Sequence, residues 1–186
     1  MLGLGAQRGS FTAYEYYFDF EGGVPPWISS MAQGTGVQAF SRGYKLTGQA
    51  RYKTAAVAAV GAYETAPPTG FAVPATGGTH YLVYSYAPQL FIFGGFLQSL
   101  IGLDDYRDLT GDSARGNTLF RAGHGNAKAI LPLADTGSWS RYSLGGPLST
   151  PDQHALLSDV TDSLCHRTSS DVYCPIAARF ASYTAP

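Results

Sequence analysis

The sequence predicts a mainly α protein, a helical-hairpin (α/α) toroid or partial toroid with short β segments in the inter-hairpin loops. Three observations predict it. The turns KLTGQARY (45–52), DLTGDSAR (108–115) and HRTSSDVY (166–173) have similar make-up, and each separates two runs of helical periodicity. They recur at intervals of about sixty residues, as stacked supersecondary units do. The connections between hairpins, 65–89 and 132–150, are long and lie at the same end, where loops converge on the axis and carry function.

The elements follow in order. AYEYYFDF (13–20) alternates like a strand and is ended by Pro25-Pro26, so residues 1–24 form a β-rich lead-in to a helical domain over 25–186. The first hairpin spans 31–46 and 49–64, with Val37, Phe40 and Tyr44 on one face and Val57, Val60 and Tyr63 on another. THYLVYSY (79–86) favours strand. The second hairpin spans 90–109 and 112–131. Phe93, Phe96, Leu97, Leu100 and Ile101 form its stripe, and Asp112 is placed to cap its later helix. SWSRYSL (138–144) again favours strand. The third hairpin spans 151–167 and 171–183 and opens on Thr150-Pro151-Asp152-Gln153, a capping box with proline at the first helical position. Glu64, Asp104 and Asp105 read as solvated helix charges.

Composition narrows the function. Net charge is −1 and charged residues are 13%, about half the usual share. Neither value suits a nucleic-acid binder, which needs clustered Lys and Arg. Aromatics reach 13%, with thirteen tyrosines, which suits either a packed core or a ligand with flat, uncharged faces such as a sugar. No apolar run is long enough to span a bilayer. His80, His124 and His166 lack ligand spacing, so no metal is expected. Cys165 and Cys174 flank a short polar turn, and a disulfide and two free core thiols stay equally open. A disulfide would favour an extracytoplasmic location and contribute roughly 2–3 kcal/mol. MLGLGAQRGS has neither a basic start nor an apolar stretch. Asp135-Thr136-Gly137 resembles the loop of an aspartic protease. That chemistry needs flanking strands and a second carboxylate, whereas here the triplet follows a helical run and occurs once. It reads as a turn that presents Trp139, Arg141 and Tyr142 to a cleft.

PPWISSMAQGTGVQAFSRGY (25–44), YSYAPQLFIFGGFLQSLIGL (84–103) and LPLADTGSWSRY (131–142) resemble, in order and rough spacing, the C-terminal helical domain of D-glucuronyl C5-epimerases, with a bacterial-type ending. The resemblance implies inversion of glucuronate to iduronate in a glycosaminoglycan chain. It implies a uronate-containing polysaccharide as partner and no cofactor, with a homodimer left open. The family's N-terminal β-rich region is then expected to be missing, unless residues 1–24 are its remnant. Epimerisation at C5 removes a proton α to a carboxylate and returns one to the opposite face. It needs two acid/base groups and a cation or donor for the growing negative charge. Carried over motif by motif, Tyr84 and Tyr142 are the proton-handling tyrosines.

Arg141 is placed, on its own chemistry, to hold the substrate carboxylate. Trp27 is a stacking ring, Gln33 lines the inner wall, and Trp139 and Gln153 complete the substrate-binding set. The chain departs from the family pattern at Val83, where the pattern has Glu, and at Gly94-Gly95-Phe96, where it has Asn-Gly-Phe. Where it has Tyr-His, Gln153-His154 stands here. Gln exchanges no proton near neutral pH, so His154 becomes the third acid/base candidate. A glycan-binding relative without catalysis and a β-eliminating uronate lyase are the two alternatives.

Overall fold

The computed structural model describes residues 2–183. Two short antiparallel pairings open the chain: β1 (Ala6–Arg8) with β2 (Phe11–Ala13), then β3 (Glu15–Tyr16) with β4 (Trp27–Ile28). The strand expected over 13–20 is therefore cut to two residues of β3. The pairing of Tyr16 with Trp27 brings Pro26 next on the partner strand, and proline has no N–H to extend the ladder. The hairpins follow as α1 (Ser30–Thr47) with α2 (Ala50–Val60), α3 (Phe93–Leu109) with α4 (Ser113–Ile130), and α5 (Pro151–Thr168) with α6 (Tyr173–Ser182). A single 3₁₀ turn, Gly61–Glu64, finishes the segment expected as helix to residue 64.

Each hairpin packs internally, and α1 packs on α3, which packs on α5. The odd helices thus form a continuous inner layer, each backed by its even partner, in an α/α partial toroid. Because α3 sits between α1, α4 and α5, every residue from Phe93 to Tyr106 except the half-buried Gln98 is buried, and the helix carries no solvated polar face. Glycine permits its closest approach. A methyl group at Gly102 would lie 2.2 Å from the Gly34 carbonyl oxygen, and one at Gly34 would lie 2.7 Å from the Ser99 Cα. SMAQG is a helix-crossing motif for this reason.

Turn chemistry ends the helices where the sequence places turns. Gly48 (φ 68°) closes α1 in the left-handed conformation and donates its N–H to Tyr44 O. Ser169 (φ 50°) does the same for α5. The expected capping box is present at Thr150 and Gln153. Asp112, expected to cap α4, makes no side-chain cap; its carboxylate accepts instead from the Tyr106 hydroxyl at 2.5 Å. Cys165 and Cys174 are joined, tying α5 to α6 across their turn.

Asp104 and Asp105 are buried and ion-paired, contrary to the expectation of solvated charges. Arg167 from α5 reaches both, at 2.7 and 2.8 Å, while Arg42 from α1 reaches Asp105 and Arg107 reaches Asp104. A carboxylate on a helix buried on every side must find a cationic partner or take up a proton.

Of the other expected strands, 79–86 shrinks to β6 (Gly78–Tyr81), paired with β5 (Ala72–Ala75). Beyond it, Ser85 N–H turns to Ile28 O and Leu82 O accepts from Ser30 N–H. Residues 138–144 form isolated bridges and no strand. These bridges matter more than a strand would. Ile92 pairs with Ser143, Phe93 N–H donates to Tyr142 O, and Leu144 N–H donates to Phe91 O. The two long connections therefore meet at the N-terminus of α3.

Candidate active site

Where these connections meet, a cavity of about 220 Å³ opens. Tyr84 comes from the first connection, and Arg141 and Tyr142 come from the second. Gln153 and Leu156 of α5 close one side, and Met31 of α1 closes another. Gly94 and Gly95 line it in the first turn of α3, where backbone N–H groups have no intrahelical acceptor and the helix dipole is positive. Gly95 leaves no room for a side chain, since a methyl group there would stand 2.6 Å from Val83 Cγ2.

The two tyrosine hydroxyls are 3.4 Å apart. Burial pushes the Tyr84 phenol well above the ordinary tyrosine range, and its contact with Tyr142 and the charge of Glu21 push the same way. Arg141 donates from Nη1 to the Gly146 carbonyl at 2.8 Å. Among the described residues it has no carboxylate partner, so most of its five N–H donors remain for a ligand. Gln153 spends its Oε1 on Thr150 N–H at 2.9 Å, and the cap thereby fixes a residue of the cavity wall.

The structure thus brings Tyr84, Arg141, Tyr142 and Gln153 together. Four other candidates lie elsewhere, each held by its own packing. His154 is 6% exposed, stacked on Trp139 at 3.8 Å. Its Nε2 lies 3.1 Å from the Phe180 carbonyl, which can only accept, so Nε2 carries a hydrogen, and Nδ1 is hydrogen-bonded with Ser140 Oγ at 2.8 Å. With both nitrogens engaged in the core, His154 presents no proton to the cavity. Trp139 is buried above it, Nε1 donating to Ser149 O. Gln33 is fully buried; its amide donates to Thr12 O and Ala59 O and accepts from Tyr14 N–H, joining α1 to β2 and α2. Trp27 is 4% exposed beneath a stacked Tyr16 ring at 4.1 Å.

The Asp135 turn holds the second connection in place. Asp135 accepts from Gly137 N–H and from the Tyr183 hydroxyl, and pairs with Arg179 at 2.5 Å. Burial alone would raise its carboxyl; these partners outweigh burial and lower it. Gly137 (φ 88°) takes the left-handed position. Asp135 is thus a tether from this loop to α6. The sequence reading missed Gly94 and Gly95 as cavity wall. Their position as a glycine pair at the head of an apolar helix was the available signal.

The arrangement is that of an α/α toroid, here partial, with a loop-built cleft. The cellobiose 2-epimerase of Spirochaeta thermophila superposes with a TM-score of 0.56 at 13% identity, over 82% of this chain and 42% of that one, a likeness of fold. The family described as D-glucuronyl C5-epimerase C-terminus matches residues 7–182, and the chain belongs to that family. The D-glucuronyl C5-epimerase of Caenorhabditis elegans is 33% identical over 132 residues, covering 64% of this chain and 21% of that protein. A Methanocaldococcus jannaschii protein, described only as uncharacterized protein MJ1128, is 24% identical over 144 residues, covering 74% of this chain and 46% of its own length. The chain thus spans less than half the length of each. A carbohydrate epimerase domain is the family-level function.

Proposed function

We propose that this chain forms the proton-transfer cleft of a uronate C5-epimerase that inverts D-glucuronate to L-iduronate within a glycan. The contact of the Tyr84 and Tyr142 hydroxyls on the wall of a cavity that also carries Arg141 is the observation that supports it. Arg141 takes the substrate carboxylate, and the positive end of the α3 dipole, at Gly94 and Gly95, adds positive potential as the C5 carbanion delocalises into it. Tyr84, held protonated, suits the donor. Tyr142, acting as its phenolate, then takes the C5 proton, and Tyr84 gives its own hydroxyl proton to the opposite face.

Groups on opposite faces of the ring, each within about 3 Å of C5, stand about 6 Å apart. Substrate must therefore part the two hydroxyls and lie between them. His154 positions rather than reacts: it braces Trp139 and the loop leading to Arg141 and Tyr142. In deuterated water, C5–H exchange that Tyr142→Phe abolishes and that yields iduronate supports this function. Its absence in the wild-type chain refutes it.

The same contact favours a second reading. Two hydroxyls that stay together on one face can remove the C5 proton and protonate the departing O4, a β-elimination. An absorbance rise from unsaturated uronate, without iduronate, would identify it.

A further inference from the structure

A strip of rings reaches outward from the cavity wall. Phe18 and Phe20 expose 51% and 37% of their surface with ring centroids 6.4 Å apart, a neighbouring pair of exposed apolar rings of the kind that marks a binding site. The strip is a built feature. Phe20 and Gly23 exchange both backbone hydrogen bonds around Glu21 (φ 45°) and Gly22 (φ 86°), a type I′ turn. Gly23 seats this turn on Tyr86, whose ring would lie 2.2 Å from any methyl group added there. Buried Trp27 anchors the strip from below, edge-on to Phe18 at 5.5 Å and donating Nε1–H to Phe18 O at 2.9 Å. Phe20 meets Tyr84 at 5.5 Å between ring centroids, so the strip is continuous with the proposed catalytic wall.

Its charge is one-sided. Residues 17–24, YFDFEGGV, contain Asp19 and Glu21 and no cation. Glu21 is near enough to bear on both Tyr84 and Tyr86. Arg8, at the base of the excursion, is occupied by Glu15 and by the carbonyls of Pro26, Pro68 and Thr69.

We infer that this aromatic hairpin is the subsite for the sugar adjoining the reacting uronate, and that it selects an uncharged neighbour over a sulfated one; this rests on the uronate reading above. The C–H face of a pyranose lies on Phe18 and Phe20, as apolar and aromatic walls take ligands elsewhere. A sulfate on that sugar meets Asp19 and Glu21 with no compensating cation, and like charge in a contact suppresses the wrong partner.

The test compares two alternating polymers, glucuronate with N-acetylhexosamine and its N-sulfated counterpart, by C5–H exchange. Wild type is expected to favour the N-acetylated polymer by roughly tenfold or more in kcat/KM at low salt. The double variant Asp19→Asn/Glu21→Gln is expected to bring the ratio toward one by raising the rate on the sulfated polymer. Phe18→Ala is expected to raise KM for the N-acetylated polymer roughly fivefold with kcat held, and Phe18→Leu, which keeps the packing over Trp27, to do the same. A wild-type ratio at or below one overturns the inference. So does a ratio that the double variant leaves unchanged, or a fall in kcat without a rise in KM in both Phe18 variants.

Absence of exchange on either polymer removes the epimerase reading, and binding then decides the subsite alone. Tryptophan fluorescence responding to the N-acetylated polymer, and losing that response in Phe18→Leu, upholds it. No response overturns it, as does a dimer in sedimentation that Phe18→Leu disperses without any glycan effect.

Discussion

Burial and contact with Tyr142 hold the Tyr84 phenol protonated above the ordinary tyrosine range, and that environment suits it, of the two like side chains, to the donor's work we propose. Tyr142→Phe is expected to lower C5–H exchange by about 10²–10⁴-fold, the usual cost of losing a positioned base. Tyr84→Phe is expected to retain exchange but lose iduronate, because the proton then returns only from the face it left. Since the shift is upward, the donor stays protonated at pH values where an ordinary tyrosine near 10 would ionise. The alkaline limb of iduronate formation should therefore fall above that value in a pH–rate profile. These two tyrosines and Arg141 were legible because each lies in a recognisable motif. His154 was not. Its place in the first turn of a helix suggests exposure, yet the covering rings, Trp139 and Phe180, come from 15 residues before it and 26 after. His154→Ala is expected to lower stability by about 2–4 kcal/mol in denaturant unfolding, through a cavity and an unpaired Ser140 and Phe180 carbonyl.

At the level of elements, local rules located what depends on near neighbours. The capping box of α5, the left-handed glycine after α1 and the three hairpin turns all sit where residue types predict, since each is a backbone matter of a few residues. The extended segments are shorter than their residue pattern predicts for the converse reason. AYEYYFDF does alternate, and Tyr16, Phe18 and Phe20 do gather at Trp27. A strand, however, needs a partner with a free N–H, and the partner arrives as Pro25-Pro26. The turn between α5 and α6 is closed by Cys165 and Cys174. Replacing either by Ser is expected to lower stability by roughly 2–3 kcal/mol while leaving C5–H exchange at low temperature, because the cross-link acts on the unfolded chain away from the cavity.

Across the whole molecule, the centre of the partial toroid is α3, and the glycine crossing with α1 and the ion pairs with α1 and α5 fix it there. The hydrophobic stripe located α3, but its burial on every side depends on three other helices, so Asp104 and Asp105 looked solvated in isolation. Burial alone would raise Asp105; hydrogen bonds from Arg167, Gln38 and Arg42 overcome this and hold its carboxyl below the ordinary range. With the folded value below the unfolded one, this stabilisation is present above the unfolded carboxyl value near 3.9 and is lost as pH falls through the folded value. Arg167→Ala is expected to cost about 2–4 kcal/mol at pH 7, somewhat under a fully buried pair because water screens the part-exposed guanidinium. The cost should shrink in acid unfolding curves as the carboxylates protonate. All this scaffolding holds two loops together so that Tyr84, Tyr142 and Arg141 share one cavity. The most direct measurement of what that cavity does is NMR of C5–H in a glucuronate polymer incubated with the chain in deuterated water. Deuterium at C5 with the growth of iduronate signals, both lost in Tyr142→Phe, is the expected result; a wild-type chain that leaves C5–H untouched would contradict a proton-transfer cleft.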